Sequence, residues 1–433
     1  MAYSIDTRTL KPGDTYVAIV GETHDGHAFI EQAVAAGATG VVTEQDVPDA
    51  VREQAEVTRV ESTLDFLTDK ASQQVKETGP RIVAITGSVG KTTTRNAVVT
   101  VLREAFDVVS AEGNLNTPLG LALMVLNADI GPETVVVMEM GARFEGDIQE
   151  LTRLFPPTVS IVTAVKGVHL ETFGTLDGIE REKGALVDAL TESGTAVLNG
   201  DDPRVRAMQQ RNAGRTVLYG TGDGAGLTPD RITVQLPMLG GHAVYTALAA
   251  FGAAQALGMS DEAINAGLAK IQPEKGRLVR LDGRGGSTLV DDTYNASPEA
   301  TVAALEVLRD LEGTRRVAFL GDMLELGAEE IDQHRDVLAA ATEHADRVFA
   351  VGPLMEEAAG RLSDASAVTT FATSAELADA IRAGDAFVPQ PGDVLLVKGS
   401  QGTRMERISE ALLDPDLDPA DHLPRQTAAW KAK

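Results

Sequence analysis

The sequence contains no cysteine, few positive charges and no long apolar run. Zero cysteines exclude disulfides, thiolate catalysis and cysteine-based zinc sites, so any metal must be held by oxygen or histidine ligands. Lys and Arg number 38 against 64 Asp and Glu, and the formal charge of -26 argues against nonspecific binding to nucleic acid or to an anionic membrane. Such a charge is typical of salt-adapted organisms and also of ordinary acidic surfaces.

Signals for membrane insertion and export are also missing. No stretch approaches the roughly 20 apolar residues that are needed to span a bilayer. The opening MAYSIDTRTLKPGD has no basic segment leading into an apolar run. We therefore expect a cytoplasmic protein that binds no nucleic acid and does not insert into a membrane. A length of 433 residues exceeds one compact core, so two or three domains are expected.

Glycine and proline divide the chain into three blocks. The joints lie at residues 77–80 and 272–276, and both are short hinges. We predict an α/β protein with domains 1–78, 79–274 and 275–433. The first is a small mixed α/β unit with a helix at residues 28–36, and the other two are built on larger sheets.

Short apolar runs alternate with helix-like segments in the two larger blocks. The predicted strands lie at residues 81–86, 134–140, 159–165 and 195–199, and then at 287–291, 316–320, 347–351 and 393–397. Alanine-rich stretches such as residues 298–311 separate them as helices. This rhythm predicts a largely parallel sheet in the middle block and a second open α/β sheet in the last block.

A glycine-rich loop follows the first strand of the middle block and leads into a helix-like segment. Backbone N–H groups near its glycines can approach an anion, Lys91 can reach the outer phosphates of a nucleotide, and the Thr92 hydroxyl can bind magnesium. The predicted loop consists of Gly87, Ser88, Val89, Gly90, Lys91, Thr92 and Thr93. An ordinary glycine-rich turn is the competing interpretation. No Asn-Lys-x-Asp guanine motif occurs, so ATP is the expected nucleotide.

Further motifs are specific enough to indicate a family. EGNLNTPLG (112–120), MEMGA (138–142), VHLETFG (168–174) and REKG (181–184) follow the loop in order. Together they resemble the P-loop ATPase-like central domain of the Mur ligase superfamily. DDTYNASP (291–298), LGDMLELG (320–327) and KGSQGTRME (398–406) resemble the Rossmann-like last domain of its D-alanyl-D-alanine-adding branch. DTR (6–8), KPGD (11–14) and GETHDGH (21–27) match that branch's UDP-precursor domain.

This resemblance implies an ATP-dependent amide ligase of peptidoglycan precursor synthesis. In that family, ATP phosphorylates the terminal carboxylate of a UDP-N-acetylmuramoyl tripeptide. The amine of D-alanyl-D-alanine then attacks the acyl phosphate and releases phosphate. Bringing anions together in this way requires concentrated positive charge. The implied cofactors are ATP and two Mg²⁺ ions, and we expect a monomer.

The resemblance also implies roles for individual residues. The catalytic group is Lys91, Lys183, His169 and Arg277. The metal ligands are Thr92, Glu139, His169 and Lys183, with Lys183 carbamylated by carbon dioxide so that a cation becomes an anionic ligand. Arg277 is expected at the outer phosphate, and Asn295 joins it as a nucleotide contact. Without the resemblance, a strand-end carboxylate, a loop histidine, a helix-surface lysine and an exposed linker arginine would be the ordinary interpretations.

Substrate contacts are implied in the first, central and last domains. They are Thr7, Arg8, Asp25, His27, Asn114, Asn116, Thr117, Asp322, Lys398, Ser400 and Arg404. Ala243 and Thr246 stand where the family usually has asparagines, and Asn295 with nearby backbone is expected to compensate in holding adenine.

Two alternative functions remain open from the sequence. One is a related Mur-type ligase that adds another amino acid or dipeptide to a different carrier peptide. The other is a nucleotide-binding regulatory protein that has lost ligation. The joint presence of Glu139, His169 and Lys183 opposes the second alternative, because a protein that only binds a nucleotide needs no second metal site.

Overall fold

The computed structural model describes residues 2–21, 24–111, 115–167 and 170–431. The described residues form three sheets, one in each predicted domain. The chain divides into two compact units, Met1–Gln235 with Tyr245–Ile271, and Leu236–Val244 with Gln272–Lys433. The domain boundaries proposed from the sequence stay predictions. No helix in the described part of the chain is both long and apolar enough to cross a membrane.

The first sheet has four parallel strands in the order β1-β2-β3-β4. The strands are β1 (Tyr3–Ser4), β2 (Thr15–Val17), β3 (Gly40–Thr43) and β4 (Glu56–Arg59), and the helices are α1 (Ile30–Ala35), α2 (Asp49–Arg52) and α3 (Thr63–Thr78). The helix predicted at residues 28–36 begins later, at Ile30. The Asp25 side chain accepts a hydrogen bond from the His27 N–H and starts a 3-10 turn over Gly26–Phe29 instead.

Helix α3 ends the first block. Ser62 caps its first turn by accepting a hydrogen bond from the Asp65 N–H, and Gly79 ends it with a φ of 64°, a conformation that favours glycine. Buried Leu67, Ala71 and Val75 recur at the helical spacing, so one face of α3 packs into the apolar core that also holds the central strands. The short hinge predicted at residues 77–80 therefore follows a packed helix.

The second sheet is entirely parallel, with the order β10-β9-β8-β5-β7-β6. Its strands are β5 (Arg81–Thr86), β6 (Asp107–Ser110), β7 (Thr134–Glu139), β8 (Val159–Val162), β9 (Thr195–Asn199) and β10 (Arg215–Tyr219). The helices are α4 (Lys91–Leu102), α5 (Pro118–Leu126), α6 (Asp147–Leu154), α7 (Leu170–Phe173), α8 (Leu176–Asp188), α9 (Pro203–Ala207), α10 (Gly241–Ala256) and α11 (Asp261–Leu268). The predicted parallel sheet is confirmed.

The prediction of a strand at residues 159–165 is wrong beyond Val162, where β8 ends. Thr163 Oγ1 donates a hydrogen bond to the Val89 carbonyl at 2.6 Å, and the Ala164 carbonyl accepts one from the Ser88 N–H at 2.8 Å. The chain thus leaves the sheet to support the glycine-rich loop. The edge strands β6 and β10 were not predicted, because half-exposed edge strands lack the continuous apolar run of a buried strand.

The third sheet has the order β11-β12-β16-β13-β14-β15, with β11 antiparallel and the rest parallel. Its strands are β11 (Val279–Gly283), β12 (Ser287–Asp292), β13 (Arg315–Gly321), β14 (Arg347–Val351), β15 (Val368–Phe371) and β16 (Asp393–Lys398). The helices are α12 (Pro298–Asp310), α13 (Glu330–His344), α14 (Pro353–Ala359), α15 (Ser374–Ala383), α16 (Glu406–Leu412), α17 (Pro419–His422) and α18 (Ala428–Lys431).

Helices cover both faces of this sheet. Apolar residues of α12, α13 and α14 pack on one face, and those of α15 and α16 pack on the other. Strand β16 lies between β12 and β13, so the loops after these three strands are neighbours. In open parallel sheets, ligands bind at this carboxyl edge. The second open α/β sheet is therefore confirmed, with the motif-bearing loops at its carboxyl edge.

Candidate active site

The glycine-rich loop connects β5 to α4 through a conformation that its glycines permit. A Cβ on Gly87 would lie 1.9 Å from Thr163 Oγ1, so no larger residue fits there. Gly90 caps α4 with a φ of 80°, which favours glycine. The first N–H groups of α4 have no partner within the helix and can bind an anion. The Lys91 Nζ donates a hydrogen bond to the Gly87 carbonyl at 2.8 Å and so lies beside the loop.

Ser88 acts mainly in holding this loop in place. Its Oγ donates to the Lys166 carbonyl at 3.0 Å and accepts from the Lys166 N–H at 2.9 Å. Together with the bonds from Thr163 and Ala164, these contacts fasten the loop to the segment after β8. The backbone of the loop is therefore organised before any ligand arrives, which lowers the entropic cost of binding phosphate.

Glu139 ends β7 beside the phosphate-loop strand, where it pairs in register with Ile85 of β5. Its side chain is 4% exposed. Oε1 accepts a hydrogen bond from Asn116 Nδ2 at 3.1 Å, whereas Oε2 is buried and accepts none in the described part of the chain. A buried carboxylate oxygen without a donor is unfavourable unless a cation completes its environment. Glu139 therefore fits the predicted magnesium ligand.

Arg95 is a site residue that the sequence analysis missed. Its side chain is 4% exposed, and its Nη1 lies 3.8 Å from Glu139 Oε2. Because Arg95 follows Lys91 by four residues, both project from the same face of α4. That spacing was the available signal. Arg95 partly balances the Glu139 charge.

Lys183 of α8 is a buried lysine, with 3% exposure. In the residues that the structure describes, its ammonium makes no hydrogen bond or ion pair. Burial and, to a smaller extent, the Lys91 charge lower the pKa of Lys183 to about 8, and the Glu182 charge opposes the change. The neighbouring Glu182 is occupied elsewhere: its carboxylate accepts hydrogen bonds from the Gly146 and Ile148 N–H groups, both at 2.7 Å. It caps the start of α6.

The predicted metal set is only partly described. His169 lies outside the described residues, as does Asn114 among the predicted substrate contacts. Thr92 is in the first turn of α4. The described ranges contain no cluster of three or more His, Asp or Glu side chains with metal-ligand spacing. This is consistent with a predicted set that combines Glu139 with a hydroxyl, an undescribed histidine and a modified lysine.

The predicted substrate contacts of the first domain differ in how far their side chains are already bonded to other residues. Arg8 is 85% exposed and pairs with Asp6 at 2.6 Å, and Thr7 beside it is half-buried. The His27 ring is already engaged, since Nδ1 lies 2.6 Å from Asp25 Oδ1 and Nε2 accepts from the Glu44 N–H at 3.0 Å. Arg8 is thus presented to solvent, whereas His27 joins the turn to the end of β3.

Asn116 and Thr117 precede α5 and have local partners. Asn116 holds Glu139, as described above. Thr117 Oγ1 accepts a hydrogen bond from the Gly120 N–H at 3.3 Å and caps α5. Both residues therefore organise the loop that enters the site.

In the last domain, the motif residues meet at the carboxyl edge of β12, β13 and β16. Lys398 Nζ lies 2.6 Å from Asp292 Oδ2 and donates to the Asn295 carbonyl at 3.0 Å. Ser400 Oγ accepts from the Leu324 N–H at 2.9 Å. Asp322 accepts from the Met355 N–H at 2.8 Å at the start of α14, and burial raises its pKa. These polar side chains join neighbouring loops into one surface.

Arg277 and Arg404 lie beside aromatic rings. The Arg277 guanidinium is 4.2 Å from the centroid of the Tyr294 ring, with its Nε 2.9 Å from Glu274. Arg404 lies 5.5 Å from the centroid of the Trp430 ring and pairs with Glu406 at 2.5 Å. Stacking of this kind limits the orientation of each guanidinium while leaving its donors directed sideways.

Comparison with known proteins agrees with this geometry. Residues 2–75 match the family model "Mur ligase family, catalytic domain", residues 85–254 match "Mur ligase middle domain", and residues 276–401 match "Mur ligase, glutamate ligase domain". The UDP-N-acetylmuramoyl-tripeptide--D-alanyl-D-alanine ligase of Bacillus subtilis is 32% identical over 95% of this chain and 93% of its own length.

Solved structures show the same similarity. MurF from Acinetobacter baumannii is 30% identical with a TM-score of 0.82, covering 94% of this chain and 92% of that one. MurF ligase from Thermotoga maritima, solved with ADP, is 27% identical with a TM-score of 0.80, covering 95% and 96%. The chain therefore belongs to the Mur ligase family of ATP-dependent ligases.

Proposed function

We propose that this protein joins D-alanyl-D-alanine to the peptide carboxylate of a UDP-N-acetylmuramoyl tripeptide during peptidoglycan precursor synthesis. ATP is converted to ADP and phosphate in the reaction. Similarity over 95% of the chain to a ligase that is named for these substrates supports the assignment. The structural observation that carries it is Lys183, a buried lysine without a partner in the described residues of a phosphate-loop domain.

We infer that the active enzyme carries a carbamate on Lys183. With a pKa of about 8, roughly a quarter of the amines are neutral near pH 7.5, against about one in a thousand for an ordinary lysine. The neutral nitrogen attacks the carbon of carbon dioxide, forms an N–C bond and loses one proton. The product is an anion, and it replaces a buried cation whose charge is opposed by Lys91.

Two Mg²⁺ ions complete the proposed site. Thr92 and Glu139 would hold one ion, and His169 with the Lys183 carbamate would hold the other. Bound Mg²⁺ would neutralise part of the negative charge that accumulates between the nucleotide and the acceptor carboxylate. The first position is supported by the buried Oε2 of Glu139, which accepts no hydrogen bond from the described residues.

The residues of the chain then act on two successive anionic species. The tripeptide carboxylate attacks the terminal phosphorus of ATP, so that ADP leaves and an acyl phosphate forms. The dipeptide amine attacks the acyl carbon, phosphate leaves from the tetrahedral intermediate, and the amine gives up a proton. Lys91 and the N-terminus of α4 stabilise the charge on the nucleotide, and Arg277 stabilises the outer phosphate. Asn295 contacts the nucleotide.

The remaining predicted contacts sort by domain. We propose that Thr7, Arg8, Asp25, His27, Asn114, Asn116 and Thr117 hold or organise the UDP precursor. We propose that the site for D-alanyl-D-alanine is formed by Asp322, Lys398, Ser400 and Arg404. Because one chain supplies all of these residues, we infer a monomer. ATP and UDP-linked precursors are cytoplasmic metabolites, so the same proposal puts the enzyme in the cytoplasm.

The test measures phosphate release from ATP with candidate UDP-muramoyl tripeptides and identifies the product by mass. We expect D-alanyl-D-alanine to accelerate release and to appear in the product, whereas D-alanine alone does neither. Equal stimulation by an unrelated amino acid would favour the related ligase with a different carrier or amine. ATP binding without ligation of any amine would favour the regulatory protein.

A further inference from the structure

We propose that Arg425 is a positioning residue, which holds Arg277 and Asn295 in the orientation in which they contact the nucleotide. The inference rests on the proposed function, because it deepens the account of the same site. Arg425 lies between α17 and α18, beyond residue 401, where the matched family model of the last domain ends. None of the sequence motifs includes it.

The Arg425 side chain is 7% exposed and joins two parts of the last domain. Its Nη1 donates to the Tyr294 carbonyl at 3.1 Å, and its Nη2 donates to the Thr293 carbonyl. The same Nη2 lies 3.0 Å from Oε2 of Glu406, whose side chain is 2% exposed. One planar guanidinium thus binds two successive backbone carbonyls and a buried carboxylate. Lysine cannot reproduce this fork.

The two carbonyls belong to the loop that carries Asn295. On its other side, Lys398 Nζ donates to the Asn295 carbonyl at 3.0 Å and pairs with Asp292. Three successive carbonyls, from residue 293 to residue 295, are therefore held by two buried cations. Removing Arg425 would leave the Thr293 and Tyr294 carbonyls without these side-chain donors.

Tyr294 extends the effect of Arg425 to Arg277. The Tyr294 N–H donates to the Gly276 carbonyl at 3.0 Å, next to Arg277. The Arg277 guanidinium lies 4.2 Å from the centroid of the Tyr294 ring, and the Arg425 guanidinium lies 6.0 Å from it. Arg425 therefore contacts both the backbone carbonyl and the ring of Tyr294, and the Arg277 guanidinium packs on the same ring.

The backbone at Arg425 supports a specific role for this residue. Its φ is 57°, a left-handed conformation that costs free energy for a residue other than glycine. The bonds to the loop and to Glu406 offset the strain.

The test is a double-mutant cycle with Arg425→Lys and Arg277→Lys in the full-length enzyme. Arg425→Lys keeps a cation beside Glu406, so we expect the fold to be retained, but the substitution removes the forked pair of donors. We expect kcat/KM for ATP to fall roughly tenfold and the KM for the UDP precursor to stay unchanged. In the Arg277→Lys background the same change should cost less than about twofold, because coupled neighbours are not additive.

Arg407→Lys is the matched control. Arg407 lines the same cavity of about 280 Å³ as Arg425, and within the described residues its guanidinium makes no hydrogen bond or ion pair. This control should retain wild-type kinetics. Wild-type kcat/KM in Arg425→Lys would overturn the inference, and so would an equal fold loss in both backgrounds, since a purely structural residue would act independently of Arg277.

The Kd for ATP, measured by calorimetry on the same four proteins, separates this inference from the proposed function. If the wild-type protein ligates no dipeptide, the proposed function fails, but the cycle can still be read from ATP binding. Weakened binding in Arg425→Lys that disappears in the Arg277→Lys background would uphold the positioning role. Unchanged or additive binding losses would refute it.

Discussion

Asp291→Asn should remove the pH dependence that the Asp291 carboxyl gives to the stability of the last domain. Asp291 is fully buried at the end of β12. Its Oδ1 accepts hydrogen bonds from Ser409 Oγ at 2.6 Å and Thr293 Oγ1 at 2.9 Å, while its buried Oδ2 accepts none from the residues that the structure describes. Burial raises the pKa of Asp291 to about 7 from 3.8, against the lowering effect of the two hydroxyl donors. The carboxyl is therefore protonated in the folded state at mildly acidic pH.

The direction of the pH effect follows from the number of protons that each state binds. Between pH 3.8 and about 7, the folded state holds a proton that the unfolded state has lost, so stability falls as the pH rises and stays low above the folded pKa. A rise of about 3 pKa units at about 1.36 kcal/mol each corresponds to about 4 kcal/mol. Of this, about 3 kcal/mol is lost between about pH 5 and pH 8. Asparagine cannot ionise, so Asp291→Asn should lack this loss.

Urea unfolding at several pH values measures the effect. The chain has one tryptophan, and Trp430 lies beside Arg404, so its fluorescence reports on this unit. We expect the mutant and wild type to agree near pH 5 and the mutant to be more stable by about 3 kcal/mol near pH 8. Asp310→Asn is the control, because Asp310 is exposed and the Arg309 guanidinium lowers its pKa. A wild-type slope in Asp291→Asn would refute the reasoning.

Three further predictions concern the central domain. Lys91→Ala should abolish ATP-dependent phosphate release with little change in thermal unfolding, since it removes charge from a loop rather than core volume; near-wild-type turnover would contradict the loop assignment. Lys183→Ala should lose most activity and regain part of it with acetate or formate, whereas Lys183→Arg should not recover; full activity of the alanine variant without additive would exclude a catalytic role. Thr163→Val removes the bond to the Val89 carbonyl and should lower kcat/KM for ATP about fivefold, from roughly 1 kcal/mol per hydrogen bond, while Thr152→Val on α6 serves as the control; equal kinetics in both would show that the bond is irrelevant.

Much of the architecture could be predicted because it is encoded locally. The central strands of both larger sheets are continuous apolar runs, and a parallel strand that is buried on both faces requires such a run. The phosphate loop was recognisable for a similar reason, because Gly87 and Gly90 stand at a fixed spacing where the backbone requires glycine. The edge strands β6, β10, β11 and β15 were not predicted, because partly exposed strands carry no comparable pattern.

The character of the candidate site was decided by tertiary structure. The sequence alone determined that Glu139 stands at the end of an apolar strand and that Lys183 lies in a helix. Only the packed sheet shows a Glu139 oxygen buried without a donor and a Lys183 amine buried without a partner among the described residues. Arg95 and Arg425 acquire their roles in the same way. Burial and unmet hydrogen bonds depend on residues that are far apart in the chain. Local sequence patterns therefore cannot predict either property.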